Sequence, residues 1–104
     1  MTIATATVGT SPAAVYTSGG NTAVTFLSLC NYSASAVSIN VYIVPLGFTA
    51  GTTNIVYSNL QLTANDTYQL YLGGEKLLLS TGDTIQVSAG TASSVTAVTS
   101  YTSI

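Results

Sequence analysis

Few side chains in this 104-residue sequence are equipped for chemistry. Asp66, Glu75, Lys76 and Asp83 are the only ionisable carboxyl and amine side chains, Cys30 is the single cysteine, and there is no histidine. A pair of carboxylates about 5 to 10 Å apart across a sugar would hydrolyse a glycosidic bond. Asp66 and Asp83, however, stand in the turn-forming strings "AND" and "TGD", where a carboxylate ordinarily accepts backbone N–H groups. A calcium loop packs several oxygen ligands into one segment, and no Asp-x-Asp-x-Asp cluster occurs here, which leaves only a scattered site built from Asp66, Asp83 and carbonyls. Serines abound, but without histidine the usual base of a catalytic triad is missing. Lys76 follows Glu75 at what reads as a strand start. With no cationic neighbour in sequence to lower its pKa, Cys30 is expected to be a buried, inert thiol. A lone cysteine makes no intrachain disulfide, and Cys/His metal sites are excluded. Asn31-Tyr32-Ser33 and Asn65-Asp66-Thr67 match the N-glycosylation pattern and are read as chance matches, because "MTIATATVGTSP" has neither the basic nor the apolar region of a secretory signal. The chain is therefore expected to be made in the cytoplasm and used as it stands, as a protein that is not an enzyme and has no catalytic, cofactor or metal residues.

Composition bounds the partners. Charged residues are 4% of the chain and the net charge is −2, against about 25% charged residues in an ordinary domain. Ser and Thr make up roughly three residues in ten, so hydroxyls and amides carry the solubility. Nucleic acid is excluded as a partner, since displacing phosphate counterions takes several Lys or Arg. Mean hydropathy is positive, yet no apolar run approaches the ~18 residues of a spanning helix. A membrane barrel of eight ~10-residue strands with loops and aromatic girdles does not fit the chain either. No membrane association is expected.

The elements that would position any functional residue read as strands throughout a single domain, residues 1–104. In residues 37–44, Val37, Ile39, Val41 and Ile43 alternate with Ser38, Asn40, Tyr42 and Val44, the period of a strand with one core face and one wetter face. Pro45 and Gly47 end it. Residues 22–30 form a second strand, and the short link "NYSAS" predicts a hairpin between the two. Residues 54–62 and 67–72 flank "TAND" and predict another hairpin. "EKLLLS" at 75–80 resumes the pattern after Gly73 and Gly74, and "TGD" leads into the alternating Ile85, Val87 and Ala89. Ile3 to Val8 and Val95 to Ile104 read as β-prone end segments and as edges available to a neighbour. Seven to eight strands with no helical period predict an all-β fold, an antiparallel β-sandwich of jelly-roll type.

Such a chain raises the question of its edges. Monomeric β-proteins protect exposed edges with Lys, Pro or inward-pointing charge, and here one Lys and two Pro serve the whole chain. Association with other subunits, a homo-oligomer included, is the economical expectation. Three segments in succession, "NYSASAVSINVYIVP", "IVYSNLQLTANDTYQL" and "GGEKLLLSTGDTIQVSAGTASSVTAVTSY", resemble small β-sandwich structural proteins of tailed bacteriophages. The likeness lies in Asn31 and Ser33 before the alternating strand, in the Leu62 to Thr67 turn, and in Glu75 to Ile85 leading into a last strand. It implies a non-enzymatic protein of the virion, most simply a capsid decoration or cement subunit. Its partners would be the major capsid protein or a neck or tail protein.

The rival reading comes from aromatic residues. Tyr16, Tyr32, Tyr42, Tyr57, Tyr68, Tyr71 and Tyr101 occur with no Trp, and tyrosine suits both protein interfaces and sugar platforms. Tyr42 on the wetter face and Tyr32 in a turn are the two expected to meet a partner, so a carbohydrate or host-surface binding module is the alternative.

Overall fold

Alternating β-branched residues dictate strands, and the structure is built of nothing else among the residues it describes. A computed structural model of the chain describes residues 2–70, 77–91 and 93–104. Its strands are β1 (Thr2–Val8), β2 (Ala13–Thr17), β3 (Thr22–Asn31), β4 (Val37–Val44), β5 (Ile55–Leu62), β6 (Thr67–Leu70), β7 (Leu77–Leu79), β8 (Thr84–Ala89) and β9 (Val95–Ser103). Tyr71, Glu75, Lys76 and the 71–72 and 75–76 ends of two expected strands lie outside the described residues.

Two antiparallel sheets pack face to face. The first runs β1-β9-β3, with β6 and β7 both on the far side of β3; the second runs β2-β8-β4-β5. β6 pairs with the Leu27–Cys30 half of β3 and β7 with the Thr22–Val24 half, so the two are pieces of one edge. Counted that way, eight strands pass between two four-strand layers in jelly-roll order, as the sequence predicts.

Both expected hairpins are corrected. β3 belongs to the first sheet and β4 to the second, and β5 and β6 are likewise split between them, so "NYSAS" and "TAND" are corners that carry the chain across the sandwich. Asn31 is the physical reason. It is fully buried, and its Nδ2 donates to the carbonyls of Ser35 (2.8 Å), Leu62 (3.0 Å) and Thr63 (3.1 Å). Its Oδ1 accepts from the N (3.0 Å) and Oγ (2.7 Å) of Ser33. One amide thus supplies the backbone partners that a hairpin ladder would have supplied at two corners. Both its amide atoms are engaged, so Asn31 is no accessible glycosylation site.

The core lies between the inner faces: Leu27 and Leu29 of β3, Ile39 and Val41 of β4, Ile85 and Val87 of β8, Val95 of β9 and Val8 of β1 are all buried. Each such side chain contributes roughly 1.5–3 kcal/mol on burial. A bulge between Val24 and Phe26 shifts the phase of β3, which lets Val24 and Leu27 both face inward. In β4, Val37, Ile39 and Val41 are buried as expected, but at its end Val44 is buried and Ile43 is half-buried against the core. Two aromatic contacts join the layers: Tyr16 lies over Tyr101 with ring centroids 4.3 Å apart, and Tyr57 meets Tyr68 edge-on at 5.6 Å.

β9 corrects a further expectation. It pairs with β1 on one side and with β3 on the other and is therefore no edge, and its inward Val95, Ala97 and Thr99 are buried. β1 is an edge, as expected.

Candidate interaction surfaces

The residues first considered for chemistry do not come together. Asp66 lies at the end of the sandwich where β3 finishes, its carbonyl accepting the Asn31 N–H (2.8 Å). Asp83 lies at the opposite end, before β8, with its carbonyl accepting the Ser18 N–H (2.9 Å). The length of β3 separates them, roughly 30 Å for a strand of that size. Each carboxylate serves its own turn. Asp66 accepts from Thr67 N (2.9 Å) and Thr63 Oγ1 (3.1 Å); Asp83 accepts from Leu46 N (3.0 Å) and Ser80 N (2.9 Å). Gly82, in this second turn, has φ +86, which calls for glycine. No group of three or more His, Cys, Asp or Glu able to hold a metal occurs among the described residues.

What remains are surfaces, and the alternation of each strand decides what they show. In-register partners point to the same side of a sheet, so the inward Val95, Ala97 and Thr99 assign the even residues of β9 to the outer face of the first sheet. That face carries Ile3, Thr5 and Thr7 of β1, Thr96, Val98, Ser100 and Thr102 of β9, Phe26, Ser28 and Cys30 of β3, Gln69 of β6 and Leu78 of β7. None is charged. Ile3 and Leu78 are two-thirds exposed (67% and 65%). Cys30 is half-buried here rather than buried as expected, and the described residues include no Lys, Arg or His.

The outer face of the second sheet is of another kind. Asn40, Tyr42 and Val44 of β4 stand beside Ser88, Gln86 and Thr84 of β8. Asn40 Oδ1 accepts the N–H of Asn59 (2.8 Å), a residue at φ 54 in the bulged part of β5. Gln86 Nε2 donates to Thr84 Oγ1 (3.1 Å). The 45–54 connection doubles back here. Phe48, Thr49 and Ala50 line an open depression of about 330 Å³ together with Pro12 and Gln86. Among the described residues, nothing bonds the Tyr42 hydroxyl. The exposed Tyr32 belongs to the β3–β4 corner, where its N–H bonds Ser94 O (2.9 Å), so it shares no site with Tyr42. Tyr16 is buried, and Tyr57, Tyr68 and Tyr101 are half-buried in contacts between the layers.

Comparison of the chain with protein-family models, with curated proteins and with solved structures finds no match.

Proposed function

We propose that this protein is a non-enzymatic structural subunit of a phage particle, most simply a decoration or cement protein that attaches to the assembled capsid. The observation that carries this reading is the outer face of the first sheet: without a charged side chain among the described residues, rich in hydroxyls and bearing exposed aliphatic groups. The broad side of the molecule, 38 by 27 Å, has room for the ~800 Å² per partner of a standard interface, and interface centres are depleted in charge. The succession of segments that resembles small virion proteins supports the same class. A neck or tail position uses the same surface and belongs to the same reading.

Attachment through such a face rests on apolar burial and hydrogen bonding, with little Coulomb attraction to screen. It is therefore nearly insensitive to salt up to about 0.5 M. Immunogold electron microscopy of purified particles with an antibody against this chain tests the reading. Dense label over the head supports decoration, and label confined to neck or tail moves the position within the class. Unlabelled particles, with the protein recovered elsewhere in the cell, overturn it.

One observation favours a second reading, a module that binds a neutral glycan. On the outer face of the second sheet, the unbonded Tyr42 hydroxyl stands in register with Gln86, which lines the depression beside Phe48. Aromatic faces and amides are the groups that hold uncharged sugars. Glycan-array binding that is lost in Tyr42→Ala and retained in Tyr32→Ala supports this reading; an array without signal removes it.

A further inference from the structure

Edges decide how a sheet protein associates, and the edges formed by β2 and β5 are both interrupted. β2 has five residues, follows Pro12, and shifts register between Ala14 and Tyr16. β5 is bulged twice against β4 and holds Asn59 at positive φ. The edge beyond β3 shows, among the described residues, the four residues of β6 and the three of β7. Bulges, prolines and short strands are the devices that stop one sheet from recruiting another.

β1 has none of them. Its seven residues, TIATATV, pair with β9 without a shift from Thr2↔Tyr101 to Val8↔Val95, and they include no charge and no Pro. The far side of β1 is a straight row of backbone donors and acceptors. The overlying β2 exposes Ala13 and Ala14 at its start and Thr17 at its end, all of them small.

We infer that β1 is a dimerisation edge whose occupant is β1 of a second copy of this chain, added antiparallel so that the two first sheets become one continuous sheet. The sequence of β1 suits itself. A two-fold axis at Thr5 is the one register that pairs all seven residues: Thr2 meets Val8 of the second copy, Ile3 meets Thr7, Ala4 meets Ala6, and Thr5 meets Thr5. Odd residues then stand opposite odd residues. The solvent-facing β-branched row continues across the axis, a favourable cross-strand arrangement, and the small inward row of Ala4 and Ala6 continues beside it. An isologous contact of this kind closes at two copies, which protects the edge and joins two outer faces into one broader surface. The inference concerns the purified chain alone, and stands or falls separately from the virion reading.

Sedimentation equilibrium of the full chain at tens of micromolar is expected to report twice the 10.6 kDa chain mass. Thr5→Lys places two ammonium groups directly opposite each other and should weaken the dimer at least tenfold while leaving circular dichroism unchanged, and the thermal midpoint unchanged at concentrations low enough for both proteins to be monomeric, because Thr5 is exposed in the single chain. Mixing Thr5→Lys with Thr5→Glu should restore the dimer. In a Cys30→Ser background, Thr5→Cys should oxidise to an intermolecular disulfide, since directly opposed residues have Cα atoms about 4.5–5.5 Å apart, within disulfide range. Thr7→Cys in the same background, facing Ile3 of the second copy, should not. A monomeric unaltered chain, a dimer indifferent to Thr5→Lys, or equal cross-linking at positions 5 and 7 would each overturn the inference.

Discussion

The two outer faces are made by the same alternation over the same core, yet their side chains are committed differently. On the second sheet, outer residues take part in holding the fold: Asn40 fixes the β5 bulge through the Asn59 N–H, and Gln86 bonds Thr84. On the first sheet, the outer hydroxyls of Thr5, Thr7, Ser28 and Thr96 have no side-chain hydrogen bond among the described residues. The nearest such bond runs from Thr25 Oγ1 to Ser100 O (3.3 Å), at the β3 bulge. A hydroxyl with no internal partner is bonded to water in the free protein and is available to a neighbouring molecule. The two faces therefore divide into one that stabilises the fold and one that does not, a distinction that charge does not make among the described residues.

The comparison breaks most sharply at Val98, in the interior strand of the first sheet. Val98→Lys puts an unpaired charge in the middle of the surface proposed to be covered, which costs several kcal/mol in a desolvated contact. Attachment to particles should fall at least a hundredfold, while stability stays within about 0.5 kcal/mol of the unaltered protein. Gln86→Lys on the other face should leave attachment unchanged. Equal losses from both substitutions, measured by co-sedimentation with particles, would erase the distinction between the faces.

Asn31 tests the premise that the two layers act as one body. Asn31→Ala strips three carbonyls and two donor groups of Ser33 of their partner at the two corners. The expected loss of unfolding free energy is about 3 kcal/mol, read from a urea or guanidinium midpoint. A loss under about 1 kcal/mol would mean that the corners hold without the amide.

Those corners also mark where the sequence stops being readable. The alternation of β4 and β8 identifies Ile39, Val41, Ile85 and Val87 as core residues, because a period of two is a property of the strand itself. Which sheet each strand joins is a property of the whole chain. A five-residue link suits a hairpin or a corner equally well, and only the burial of Asn31, decided by long-range packing against Leu62 and Thr63, separates the two outcomes. β2 was not legible because Ala13 and Ala14 are exposed and Val15 and Tyr16 are buried one after the other, as a bulge allows, which leaves no alternation to see. β9 reads as an edge from its place in the chain, and its central position follows only from pairing on both sides. The outer faces are legible residue by residue for β4, where the alternation places Tyr42 on the wetter side, and are not legible as surfaces.

A smaller effect sharpens the contrast within the second sheet itself. Asn40→Ala frees the Asn59 N–H to water, and the expected cost is about 1 kcal/mol. Ser28→Ala, the comparable change on the first sheet, should cost nothing measurable, since no group among the described residues bonds that hydroxyl. Parallel denaturation curves of the two variants check the pair, and equal costs would contradict the division of labour between the faces.

The least disruptive change lies between the faces. Thr99 is fully buried on the inner side of β9, in register with Ala4 on one side and Leu27 on the other, and its Oγ1 has no hydrogen-bond partner among the described residues. A hydroxyl removed from water without a partner costs roughly 1–3 kcal/mol, whereas valine keeps the β-branched shape and replaces that oxygen with a methyl group. Thr99→Val should therefore raise the unfolding free energy by about 1 kcal/mol while leaving particle attachment as it was, because nothing on either outer face moves. A loss of stability instead would show that Oγ1 is bonded in solution to an enclosed water. The inner layer would then be hydrated at its centre, and the two faces would rest on a wetter core than the packing of Leu27, Leu29 and Val95 implies.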